Sequence, residues 1–244
     1  MDEPLLELRG IRAGYEAIEV LHGVDIAVPR GTVFGVLGPN GAGKTTMLKV
    51  ACGLHPPTGG DLFVGGRRVN GVEPDELARR GLCMIPEGRG IFPNLTVREN
   101  LWMATYRGQK LRDIEEAAYA RFHRLKERRG QLAGTMSGGE QQMLALARAV
   151  ATDPAVVLLD ELSMGLAPKL VEELYGAVAT IAAEGVSILV VEQFAKTVLG
   201  VAHMAAIMVG GRVVKVGLPS ELESDLSAAY LGAGAASTHP SPSE

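Results

Sequence analysis

The chain has 244 residues, 47% hydrophobic and 21% charged, which supplies a substantial core and excludes a wholly disordered chain. Twenty-four Lys and Arg against 28 Asp and Glu give a formal charge of −4, which argues against a dedicated nucleic-acid binder, so no nucleic-acid partner is expected. The length suits one large α/β domain, or one with an inserted subdomain.

In chain order, Leu5–Leu8 and Val24–Val28 predict half-buried strands. Val33–Leu37 is a continuous apolar run, the pattern of a buried parallel strand. A Gly-rich turn and a helix over about 43–51 follow, then short strands near Leu62–Val64 and Leu82–Ile85. From about 87 to 152 the period becomes helical. Thr96 and Glu99 form a capping-box pattern ahead of Leu101, and the stretch 111–128 is charged and amphipathic. The basic cluster at Arg121–Arg129 reads as a solvated helix face. Beyond Asp153-Pro154 the α/β alternation returns, with buried strands at Val156–Leu159 and Ile188–Val191 and a helix over about 169–183 between them. A hairpin follows, turning at Gly210-Gly211, and the Gly-, Ala-, Ser- and Pro-rich segment 232–244 predicts a disordered tail.

Cys52 and Cys83 sit among apolar neighbours without metal-ligand spacing and read as reduced core residues, which fits a cytosolic setting. Asp2 and Glu3 stand where a signal peptide would need a basic region. No apolar run approaches the ~20 residues needed to span a bilayer. Any spanning helices must therefore come from other chains.

Three segments carry chemistry. Gly38-Pro39-Asn40-Gly41-Ala42-Gly43-Lys44-Thr45 fits the phosphate-loop pattern G-x-x-x-x-G-K-[ST] in full, between a strand and a helix. Its glycines let backbone N–H groups turn inward around phosphates, and the helix N-terminus adds positive potential. Lys44 is expected to reach the β- and γ-phosphates and Thr45 to ligate Mg²⁺, with Thr46 completing the nucleotide-binding turn. The strand at 156–159 ends in Asp160-Glu161, at the carboxyl edge of a parallel sheet, where ligands bind. Asp160 is expected to hold Mg²⁺ and Glu161 to polarise an attacking water as general base. Ser137-Gly138-Gly139-Glu140-Gln141 is a capping box whose two glycines leave N–H groups and a hydroxyl free for an anion.

In this order, the three segments resemble the ATPase subunit of ABC transporters. The resemblance implies a P-loop NTPase fold over 1–231: a mostly parallel sheet, an N-terminal antiparallel β part and a helical subdomain inserted at about 87–152. It also implies ATP and Mg²⁺ as cofactors and a second ATPase subunit whose nucleotide is met by Ser137, Gly138, Gly139 and Glu140. Transmembrane permease subunits, an extracytoplasmic solute-binding protein acting indirectly, and a peripheral location on the cytoplasmic face of the cell membrane follow in the same way. Tyr15 resembles the aromatic that stacks on adenine. Glu87 stands where many members have Gln and is assigned, with Thr45 and Asp160, to the metal. Gln193 stands where many have a catalytic His, Ala167 where many have Asp, and Leu162 where nearly all have Pro. Apart from Leu162, these departures resemble one branch, the second ATPase subunit of branched-chain amino-acid importers. Transport of amides or urea, or a nucleotide-gated module with negligible hydrolysis, stands as the alternative.

Overall fold

The computed structural model describes residues 3–88 and 90–223. In chain order they form β1 (Leu6–Tyr15), β2 (Ile18–Val28), β3 (Val33–Leu37), α1 (Lys44–Ala51), β4 (Gly59–Val64), β5 (Arg67–Arg68), α2 (Pro74–Arg79), β6 (Leu82–Ile85), α3 (Val97–Trp102), α4 (Leu111–Arg121), α5 (His123–Glu127), α6 (Gly138–Val150), β7 (Val156–Asp160), α7 (Pro168–Ala183), β8 (Ser187–Glu192), α8 (Ala195–Leu199), β9 (Met204–Val209) and β10 (Arg212–Gly217). Met103–Arg107 and Ala133–Thr135 are 3₁₀ turns. The tail expected over 232–244 lies outside the described residues.

The described residues build two sheets. An antiparallel sheet has the order β2-β1-β4-β5, and a six-stranded sheet has the order β10-β9-β3-β8-β7-β6. In the second, every neighbour from β9 to β6 pairs in parallel, and β10 closes one edge antiparallel to β9. The all-apolar runs of β3, β7 and β8 are explained by burial on both faces, since consecutive side chains alternate between two cores. Val33 and Leu37, Val157 and Leu159, and Ile188 and Val190 pack on the helical side. Phe34 and Val36, Val156 and Leu158, and Leu189 and Val191 pack toward α1 and the antiparallel sheet.

The helical stretch α3–α6 lies in the chain between β6 and β7, which are neighbours in the sheet. Its apolar residues, among them Val97, Leu101, Ile114 and Leu125, join the same core as Val157 and Leu159. The capping box at Thr96 forms: Glu99 Oε2 accepts from the Thr96 N–H at 2.8 Å, and Thr96 Oγ1 accepts from the Glu99 N–H at 3.2 Å. Buried Asn100 ties down the preceding loop, accepting from Phe92 N–H at 2.9 Å and donating to the Phe92, Leu95 and Thr96 carbonyls. The amphipathic stretch 111–128 is two helices, because the backbone at Phe122 turns to φ −129 and ψ 80 as the ring enters the core. The basic face there is paired as well as solvated: Arg121 meets Glu184, and Arg128 Nε lies 2.7 Å from Glu140. Both cysteines are free thiols, Cys52 buried and Cys83 half-buried, and burial pushes each thiol up, Cys83 to about 11.

The β9–β10 turn joins the two sheets. Gly211 N–H donates to the Ala42 carbonyl at 2.9 Å, and the Gly211 carbonyl accepts from His22 N–H at 2.9 Å.

Candidate nucleotide site

The site is built where β3 and β7 end. Gly38 leaves β3 against the Met208 carbonyl of β9, so close that a Cβ there would overlap the oxygen. Gly43 then takes φ 97, a left-handed conformation that L side chains rarely adopt, and starts α1 without a side-chain cap. The first N–H groups of α1 are thus left to meet an anion. Lys44 is buried, and its Nζ donates to the Gly38 carbonyl at 2.7 Å and the Pro39 carbonyl at 3.1 Å. Burial pushes its ammonium below the usual lysine range, opposed by the carboxylates of Glu161, Asp160 and Glu192.

Thr45 and Asp160 meet behind this loop, the hydroxyl donating to Oδ1 at 3.2 Å. Asp160 is only 3% exposed, and its Oδ2 has no hydrogen-bond partner. Burial raises its carboxyl to about 6; Glu161 and Glu87 add to the rise, while the Thr45 hydroxyl and Lys44 oppose it. An orphaned buried carboxylate oxygen beside a hydroxyl is a hard-oxygen donor pair, which fits Mg²⁺. Among the described residues no three His, Cys, Asp or Glu gather as a metal cage.

Glu161 follows in a left-handed turn, φ 48, its N–H donating to the Val191 carbonyl at 3.0 Å. Such a conformation costs energy for a non-glycine residue and collects at functional sites. Burial raises the Glu161 carboxyl, Lys44 opposes the rise, and Glu87 and Glu192 add to it. The cleft in front has a volume of about 490 Å³ and is lined by Val20, Asn40–Thr46, Glu87, Glu161 and Met164. Glu87, exposed on the loop after β6, thus joins residues of the phosphate loop and of the turn after β7 at one opening.

The other expected residues lie outside this lining. Ser137 is exposed at the start of α6, with the reciprocal capping box in place: Glu140 Oε2 accepts from the Ser137 N–H at 3.0 Å and from its hydroxyl at 2.9 Å. Glu140 Oε1 accepts from Arg128 Nε at 2.7 Å. Burial alone would raise Glu140, but the Ser137 and Arg128 hydrogen bonds prevail and hold it below the ordinary carboxylate range. With both oxygens so committed, Glu140 serves to hold the turn that presents Ser137, Gly138 and Gly139. Tyr15 ends β1 with its ring tilted 33° against His55 at 4.5 Å between centroids, still 43% exposed. Gln193 is half-buried just past β8.

Sequence reasoning missed Val20, Met164 and Glu192. The first two carry no chemical signal. Glu192 had one: like Asp160, it is a carboxylate at the end of an otherwise apolar buried strand.

The chain is similar to known proteins in sequence and fold. The chain is 38% identical over 213 residues to the high-affinity branched-chain amino acid transport ATP-binding protein BraG of Pseudomonas aeruginosa, spanning 86% of this chain and 91% of that one. It is 35% identical over 215 residues to the probable branched-chain amino acid transport ATP-binding protein LivF of Archaeoglobus fulgidus, spanning 87% and 91%. The fold matches the crystal structure of an ATP-binding cassette of an ABC transporter in its ADP conformation, with a TM-score of 0.85, 24% identity, and coverage of 95% of this chain and 100% of that one. The ABC transporter family model matches residues 21–163, and the chain belongs to the ABC transporter family.

Proposed function

We propose that the chain is the ATP-binding and ATP-hydrolysing subunit of an importer for branched-chain or other hydrophobic amino acids. The observation that carries this is the convergence of Lys44 and Thr45 from one loop with Asp160 and Glu161 from the end of β7. Lys44 exchanges its loop carbonyls for phosphate oxygens, aided by the N–H groups from Asn40 to Thr46. Thr45 and Asp160 hold a Mg²⁺ ion, which when bound supplies positive charge to the phosphate oxygens. Glu161 takes the proton of the attacking water, and its upward shift toward neutrality suits a base of moderate strength. Tyr15 stacks on the adenine ring. Glu87 reaches the metal from the rim, and Gln193 donates a hydrogen bond to the terminal phosphate.

Ser137, Gly138 and Gly139 do not line the cleft of their own chain, which supports their meeting a nucleotide held by a second ATPase subunit. Among the described residues no helix is long and apolar enough to cross a membrane, so permease subunits are separate chains in this reading. Phe92 and Tyr106 are exposed beside the loop that carries Glu87, an apolar surface suited to docking a permease at the cytoplasmic face of the membrane. The stretch 87–152 acts as the helical subdomain that passes closure of the nucleotide site to the permease. An extracytoplasmic solute-binding protein would deliver solute on the far side. The names of the BraG and LivF relatives support a branched-chain solute. Reconstitution of the chain with its co-purifying membrane subunits tests the reading. ATP-dependent uptake of leucine, isoleucine or valine is expected, and uptake of urea or amides alone overturns the choice of solute.

A further inference from the structure

Glu192 closes β8 as a carboxylate only 1% exposed. Ile188 and Val190 face the helical core and Leu189 and Val191 the other, so the strand's period of two sends Glu192 to the helical side. The same count along β7 sends Asp160 to the opposite side, where it meets Thr45. On its own side Glu192 Oε1 accepts two hydrogen bonds, from the Tyr175 hydroxyl of α7 at 2.7 Å and from the Ser163 backbone N–H at 2.8 Å.

Ser163 lies two residues beyond Glu161, and Glu161 N–H is bonded to the Val191 carbonyl. The turn 161–163 is therefore pinned at two points to the last two residues of β8. A buried carboxylate is costly unless strong hydrogen bonds compensate, and an apolar residue would fill such a place without that cost. Charge-assisted bonds are, in return, the strong and directional ones. We propose that Glu192 is a positioning residue for ATP hydrolysis: through the Ser163 N–H it fixes the left-handed turn at Glu161 and so aims the Glu161 carboxylate into the cleft. Tyr175 holds Glu192 in place from α7. The inference rests on the reading of Glu161 as general base.

The test measures kcat, KM for Mg-ATP and equilibrium ATP affinity in the full-length chain. Glu192→Gln keeps an acceptor oxygen in place and is expected to retain kcat within about threefold. Glu192→Leu leaves the Ser163 N–H and the Tyr175 hydroxyl without an acceptor and is expected to lower kcat by about tenfold or more. ATP affinity should stay within about twofold, because the hydrogen bonds of Glu192 run to Ser163 and Tyr175 rather than to the phosphate loop. Tyr175→Phe, expected to lower kcat a few-fold, keeps the test decisive should the leucine variant not fold. Unchanged kcat in the leucine variant, or in Tyr175→Phe if only that one folds, overturns the inference. So does a fall in kcat matched by an equal loss of ATP affinity, or a glutamine variant as impaired as the leucine one. Glu161→Gln separates the two levels: normal turnover there refutes the base itself, whereas its loss beside a normal Glu192→Leu refutes only the positioning role.

Discussion

Thr45 donates to Asp160 across the junction of α1 and β7, leaving the second oxygen of a buried carboxylate without a partner. Burial raises that carboxyl from 3.8 to about 6. In the unfolded chain it ionises near its ordinary value, so the ionised form opposes folding above about pH 6. This cost shrinks as pH falls from 6 toward 4 and vanishes below both values. Asp160→Asn should therefore stabilise the nucleotide-free protein at pH 7.5, by up to about 3 kcal/mol, with the gain gone by pH 4. Urea unfolding across that range measures it, and a gain independent of pH would contradict the assignment. The same substitution should abolish the Mg²⁺ dependence of nucleotide binding.

Lys44→Ala should weaken ATP binding by about 100-fold or more, since it removes the charged donor that the proposed site sets against the phosphates. Titration calorimetry with Mg-ATP reads this directly. Unchanged affinity would reject the phosphate-loop assignment.

Glu161→Gln should keep ATP affinity within a few-fold and lower turnover by about two to four decades, because an amide cannot take the water's proton. An ATP-stabilised dimer on sizing chromatography is the accompanying sign. Normal turnover, with any partner site disabled, is the result that removes Glu161 from its role.

Ser137→Arg should leave ATP binding by the isolated chain intact and impair hydrolysis at the facing site of the dimer. The cleft lining contains none of Ser137, Gly138 or Gly139, and in the proposed arrangement they meet the nucleotide of another subunit. Loss of ATP affinity in the monomer is the outcome that contradicts this. Ser137→Ala, by contrast, should cost about 1 kcal/mol through loss of the α6 cap alone.

The strands of the parallel sheet were legible because burial on both faces makes the middles of β3, β7 and β8 wholly apolar and leaves polar residues only at strand ends, as with Asp160, Ser187 and Glu192, and the phosphate loop because its backbone geometry demands glycine at fixed places. The short elements were not. α2 has Pro74 at its first turn with Asp75 and Glu76 behind it, yet only Leu77 is buried, too little for a periodic signal. β5 is two exposed arginines, ordered by pairing with Phe63 and Val64 and by an ion pair between Arg68 and Asp61. Phe122 looked like one more apolar position in a continuous helix, and only the packing of its ring breaks α4 from α5. Within the site, Asp160 and Glu161 were legible, whereas Glu192 carried only its place at a strand end, since its partners, a backbone N–H and a tyrosine on another helix, are set by tertiary packing.

The turn at Gly211 makes one amide proton a reporter on the whole site. That proton is held by the Ala42 carbonyl inside the phosphate loop, while the carbonyl of the same residue is held by β2. Any opening of the loop must release it, and any ligand that stiffens the loop must retain it. Hydrogen–deuterium exchange at Gly211 should therefore slow on binding of Mg-ATP, although the residue lies outside the cleft lining and touches no phosphate. The β9–β10 hairpin would then register, by solvent exchange alone, whether the cassette is charged with nucleotide.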